Sequence, residues 1–305
     1  MTDARTDART DARTPETDEA TLARVDPRAG VFAMLTRGRA ARPGETYGVP
    51  GQGDTRILSL LTIALLLFVW WLVTTAGWVK PLFLPSPQAV VAKLWQVWTD
   101  GFTGTPLWEH VLISTARVFG AFLLACLVGI PLGLAMGMSP AMRGIFDPPI
   151  EFYRPIPPLA YLPLMIIWFG IGETSKVLLI FLSVFAPVAL GARAGVRSAA
   201  IEQIHAAYSF GATRWQVMRR VILPSAMPEI LTAMRIGIGF GWTTLVAAEM
   251  VAATKGIGYM VLSASQFLQT STVIMGIVVI AAIAYAFDML MRWVERKLVP
   301  WKGRM

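Results

Sequence analysis

Side chains with chemistry to offer are few and scattered in this 305-residue chain: two histidines, His110 and His205, and one cysteine, Cys126. The histidines stand far apart, and no His, Cys and carboxylate set has metal-ligand spacing, so a metal centre is not expected. Cys126 lies in an apolar run and reads as a small core residue, since a lone thiol closes no internal disulfide. No G-x-x-x-x-G-K-S/T phosphate loop occurs; the stretch GIGETSK at 170–176 lacks its spacing. A G-x-S-x-G nucleophile turn is also missing. What remains is a set of ionisable groups in or beside apolar runs: Glu151, Arg154, Arg235 and Glu249. Ionisable residues at membrane depth are functional candidates, as the active groups of a membrane-embedded enzyme or as the lining of a transport path. These lie near the ends of apolar runs, and no nucleophile pairs with them. We therefore take Glu151, Arg154 and Glu249, with the hydroxyls of Thr243 and Thr244, as pathway or gate candidates. Catalysis in this chain is not expected.

The chain around these groups is too apolar for an ordinary soluble domain, with 55% hydrophobic side chains. Its formal charge is +8, but the basic residues gather beside apolar runs, and no nucleic-acid-binding motif is present. That distribution is the mark of membrane topology, with the lipid bilayer as the partner and nucleic acid excluded.

Residues 2–14 repeat Thr-Asp-Ala-Arg three times and begin a fourth copy. Such a low-complexity tail cannot bury enough surface to order itself, so disorder is expected over 1–53 and a membrane domain over 54–305. Apolar runs at 57–76, 118–138, 159–171, 177–190, 228–250 and 273–291 predict about six transmembrane helices, an all-α polytopic fold. The stretch 79–109, broken early by Pro81, Pro85 and Pro87, reads as an interfacial helix, and 252–271 as a surface or re-entrant segment. Gly129, Gly133 and Gly137 recur every four residues, the small-residue pattern by which membrane helices approach closely. Between Pro148 and Pro163 the prolines are so dense that no continuous helix is expected before Leu159. Glu151 and Arg154, three residues apart, can pair on one turn. Six spans place both termini on one side, the side with the most arginine and lysine. By the positive-inside rule that side is the cytoplasm.

One polar segment stands out. Within 192–227, His205-Ala206-Ala207 is followed after three residues by Gly211, and after nine more by Val221-Ile222-Leu223-Pro224. Small residues followed by glycine predict a helix ending in a tight turn, and Pro224 predicts a stop to the helix that carries Arg214, Arg219 and Arg220. This spacing resembles the cytoplasmic loop of permease subunits of ATP-binding-cassette importers, which reads Glu-Ala-Ala, three residues, Gly, nine residues, Ile-x-Leu-Pro. Ala206, Ala207, Gly211, Leu223 and Pro224 match, Val221 replaces an isoleucine, and His205 stands where the family has glutamate. The stretches RGIFDPPIEFYRPIPPLAYLPLMIIWFGIGETSK and GWTTLVAAEMVAATKGIGYM resemble the nitrate, sulfonate and taurine branch of that family.

The resemblance implies a type I importer permease-like fold in a bacterial inner membrane. It implies a homodimer carrying two cytoplasmic ATPase subunits, which hold the ATP and Mg, so that no cofactor belongs to this chain. It also implies a periplasmic substrate-binding protein and a small sulfonate such as taurine as cargo, with nitrate or alkanesulfonate as alternatives. His205, Ala206, Ala207, Gly211, Ala212, Val221, Leu223 and Pro224 would form the ATPase-coupling loop. A secondary carrier or membrane-embedded enzyme remains the rival reading. Because the repeat reads as a solvated tail, deleting residues 2–14 should leave transport intact. A large loss of uptake in that variant would give the repeat a role.

Overall fold

The computed structural model describes residues 56–300. The repeat tail, and Lys302 and Arg304 at the other end, lie outside the described residues. The chain divides after Leu72 into two compact units. All of the described part of the first, 56–72, is helix α1 (Arg56–Thr75), which runs on past the division. Its uncharged stretch Ile57–Thr75 is long enough to cross a bilayer, about 28 Å at 1.5 Å per residue. Phe68 and Trp71 stack at a tilt along it, 6.0 Å apart.

The second unit is helical throughout the described residues apart from turns and one isolated bridge between Phe102 and Thr105. Its elements are α2 (Pro87–Asp100), α3 (Leu107–Met138), α4 (Pro140–Tyr153), α5 (Pro158–Phe169), α6 (Glu173–Val196) and α7 (Ile201–Ser209). They continue with α8 (Arg214–Val217), a π-turn (Met218–Ile222), α9 (Leu223–Ala252), α10 (Ile257–Gln266) and α11 (Thr270–Leu298). With α1, the helical runs long and apolar enough to span number five among the described residues; α5 is apolar but shorter. The protein is an all-α polytopic membrane protein.

Helix α6 is the centre of this unit. Along α3, the bare faces of Gly129, Gly133 and Gly137 meet it: a Cβ at Gly133 would strike the carbonyl of Ala189, and one at Gly137 would lie 2.5 Å from the Val196 side chain. On its other side Gly191 faces Ala233, Gly195 faces the Ala226 carbonyl, and Gly237 and Gly241 of α9 face Val184. Contacts this close leave little or no room for a side chain at the glycines, and the dispersion gained holds helices together where lipid removes the hydrophobic drive. Val118, Ala125, Val184, Val188, Ala189 and Leu245 fill the resulting core.

Four local expectations change. Helix α3 begins at Leu107 rather than near residue 118, because its first turns, although polar, bury His110, Ser114 and Arg117 in protein. The stretch before Leu159 is helical as far as Tyr153, with Pro148 and Pro149 inside α4. Those prolines free the carbonyls of Gly144 and Ile145, both on exposed residues, so the loss is not a buried one. The break falls instead at 154–157, between Pro155 and Pro157, and leaves α5 with 12 residues, too few to cross alone. Finally, Pro224 does not stop a helix. It is the second residue of α9, directly after the π-turn, and that turn joins α8 to α9 in one run, Arg214–Ala252.

The packing predicts a contrast within α3. Gly133→Ala should destabilise the protein by about 1–3 kcal/mol through overpacking. Gly120→Ala, where nothing lies within 4 Å of the added carbon, should be neutral. Thermal unfolding of both variants in one detergent checks this; equal midpoints would remove the close-packing account.

Candidate functional site

The loop between α6 and α9 protrudes. Helix α7 carries His205, Ala206 and Ala207 and contains no buried residue. It ends through bonds from Phe210 N to the Ala206 carbonyl at 3.1 Å and from Gly211 N to the Tyr208 carbonyl at 2.9 Å. Gly211 has φ +80, a left-handed conformation that side chains other than glycine's take up at a cost. Its return lets Ala212 N reach the Ala207 carbonyl at 3.1 Å. Thr213 then caps the next helix in a capping box with Gln216. Phe210 and Trp215 stand 91% and 69% exposed, so the tip presents aromatic surface that its own chain does not cover. Behind it a cavity of about 730 Å³ separates Tyr208, Arg214 and Trp215 from Met138 and Val196 at the ends of α3 and α6. Val221, Leu223 and Pro224 are half-buried in the π-turn and the start of α9.

The pathway candidates do not form one cluster. Glu151 lies 4.0 Å from Arg154 and 3.5 Å from Arg193, which also pairs with Asp147. Arg154, 59% exposed, edges a cavity of about 570 Å³ at the 154–157 break, together with Tyr153, Tyr161, Ser183 and Phe240. Thr243 is exposed and donates to the Phe240 carbonyl at 2.9 Å, while Thr244 is buried.

Glu249 is elsewhere: fully buried at the end of α9 far from the loop. Its carboxylate accepts from Ser114 Oγ at 2.8 and 2.9 Å, from Arg117 Nη1 at 2.7 Å and from Gly258 N at 2.9 Å. Arg117 in turn forks onto Glu173 with bonds of 2.5 and 2.6 Å, and donates to the Lys255 carbonyl at 2.8 Å. Lys176 joins Glu173 at 2.9 Å, His110 Nδ1 accepts from Gly256 N at 3.0 Å, and Lys255 reaches Glu109 at 2.5 Å. One guanidinium therefore ties α3, α6, α9 and the 253–258 turn together. Gly256 (φ +130) and Gly258 lie hard against the Glu249 carboxyl, where a Cβ at either would collide. A carboxylate this deep is tolerable because each oxygen is paired. The sequence reading missed Arg117, Ser114, His110, Glu173, Lys176 and Lys255. The available signal was Arg117 itself, an arginine one residue before the apolar run that starts at Val118.

The family described as "binding-protein-dependent transport system inner membrane component" matches residues 129–300. The taurine transport system permease protein TauC of Escherichia coli (strain K12) is 56% identical over 81% of this chain and 90% of its own length. The chain belongs to this family of importer permeases. A putative aliphatic sulfonates transport permease, SsuC of Bacillus subtilis (strain 168), is 35% identical over 80% of this chain and 87% of its own. A chain of the MetNI methionine ABC transporter, in an inward-facing form, superposes with a TM-score of 0.55 at 17% identity. That likeness covers 63% of this permease and 97% of the other chain, and it concerns the fold alone. As a family member this chain is a multi-pass inner-membrane transport subunit that works with an ATPase and a binding protein.

The Glu249 network makes a specific prediction for this permease. Arg117→Met should destabilise it by about 3–5 kcal/mol, because a buried carboxylate loses its counter-charge. Adding Glu249→Gln should recover much of the loss, since the amide needs none. Unfolding midpoints of the two single variants and the double variant measure the coupling; additive losses would sink it.

Proposed function

We propose that this permease moves a small organic sulfonate, taurine or a close relative, into the cell by alternating access, driven by ATP hydrolysis on separate subunits. The single observation that carries the substrate class is the 56% identity to the taurine permease across most of both chains. The likeness to the aliphatic sulfonates permease SsuC of Bacillus subtilis keeps other sulfonates as the second reading of the cargo.

In this reading two copies form the path and carry two cytoplasmic ATPase subunits, which hold the ATP and Mg; this chain holds no cofactor. A binding protein delivers the cargo on the periplasmic side. Both termini lie in the cytoplasm, on the side where basic residues gather, with the broken α4–α5 segment making a sixth crossing beside the five long helices. The exposed α7 and its aromatic tip dock in the ATPase. The residues that make this coupling loop are His205, Ala206, Ala207, Gly211, Ala212, Val221, Leu223 and Pro224. Motion of α7 is passed to the spans through α8, the π-turn and α9, one unbroken helical run. ATP and cargo shift the same equilibrium only because each binds one state better than the other. Glu151, Arg154, Thr243 and Thr244 belong to the path or its gate, and Arg154 is the group suited to a sulfonate by its charge and planar fork. Glu249 serves the gate indirectly, holding the far-end turn.

The test is copurification of the tagged permease from mild detergent, followed by hydrolysis and uptake measurements. An ATPase should come with it, and its rate should rise with taurine-loaded binding protein. Gly211→Asp should bring uptake to background while the protein still inserts, because the left-handed turn is strained and the docking tip becomes charged. Hydrolysis that ignores taurine but follows another sulfonate would change the cargo. Normal uptake by Gly211→Asp would refute the docking role.

A further inference from the structure

The end of α11 carries cationic groups that the transport reading leaves unused. Arg292 is anchored through Nε to Asp288 Oδ2 at 2.7 Å, and Arg296 through Nε to the Arg292 carbonyl at 3.3 Å. With Arg235, Glu295, Val299 and Pro300 they line a cavity of about 560 Å³. Arg235 is held by Asp288 at 3.0 Å and Glu295 at 3.4 Å, so three guanidinium groups meet two carboxylates and positive charge is left over.

The surface leading to this cavity is apolar. Val278, Tyr285 and Met289 are 48%, 65% and 50% exposed, and the spacing continues to Arg292 and Arg296. Steps of seven, four, three and four residues hold all five on one stripe of the helix. Beside it Trp293 is half exposed, and Lys297 sits over its ring at 4.1 Å. An indole and a lysine at the end of an apolar helical face belong at the boundary between hydrocarbon and headgroups.

We propose that this end of α11 binds the phosphate headgroup of an anionic phospholipid, with an acyl chain along the stripe above it. Guanidinium forks suit a phosphate diester, and basic pockets at the membrane boundary recognise acidic headgroups. The continuity of the apolar stripe with the cavity favours a lipid over a free phosphate, which would use the cavity alone.

The experiment is native mass spectrometry of the full chain in non-ionic detergent, with phosphatidylglycerol and phosphatidylcholine of the same chain lengths. The wild-type protein should retain phosphatidylglycerol preferentially, and R292Q/R296Q should lower that retention roughly tenfold or more. The R292K/R296K pair keeps the charge without the planar fork. It should fall between the two, and it serves as the readout should the glutamine pair not fold. Equal retention of both lipids by the wild-type chain overturns the proposal, as does undiminished phosphatidylglycerol retention in the variants. Displacement of the lipid by millimolar inorganic phosphate would assign the cavity to a free anion and overturn it too. So would a variant that changes self-association but not lipid retention, since the face would then belong to a second copy.

Discussion

Close backbone contact between α6 and its two neighbours is the constraint on which the spanning core rests. In lipid, burying apolar surface between helices gains little over leaving it in hydrocarbon, so cohesion must come from packing and from satisfied polar groups. The glycines of α3 and α9, and Gly191 and Gly195 of α6 itself, let the three helices approach closely, Gly133 and Gly195 against backbone carbonyls and Gly137, Gly237 and Gly241 against valine side chains. Any methyl group at Gly133 or Gly191 would have to displace backbone or a neighbouring Cβ, which makes this contact stiff rather than adaptable.

The same three helices are pinned a second time by Arg117, at the ends far from the loop. Packing alone permits sliding along a small-residue stripe, whereas a guanidinium forked onto Glu173 and bonded to Glu249 sets the relative height of α3, α6 and α9. The turn after α9 and the start of α10 are fixed beside it, with Gly256 N bonded to His110, Ile257 N to Ser114 and Gly258 N to Glu249. Helix α9 therefore has one end in this network and the other in the π-turn below the exposed loop. A displacement of α7 enters a continuous helical rod whose far end is held by ionic bonds. The π-turn, with its looser hydrogen-bond register, is the place in that rod best able to yield.

Much of this architecture was legible in the order of residues, because its signals are local. Length and hydropathy marked the spans, and four-residue spacing put Gly129, Gly133 and Gly137 on one face. A glycine after two alanines foretold the end of α7, and the basic residues gathered at one end of the spans. The position of Glu249 near a span end was also readable, and so was the spacing that allows Glu151 and Arg154 to pair.

What tertiary structure decided were the partners and the exceptions to local rules. Glu249 and Arg117 are separated by 132 positions, and Arg117 and Glu173 by 56, so no window of sequence holds the network. Helix α4 runs through Pro148 and Pro149, whose freed carbonyls belong to the exposed residues Gly144 and Ile145. The chain continues through Pro224, which directly follows the π-turn, where the hydrogen-bond register is already shifted. Sequence determined which segments enter the membrane, since that depends on each segment's own transfer free energy. Only the fold decided which charges could be buried there, since that depends on groups brought together from three helices.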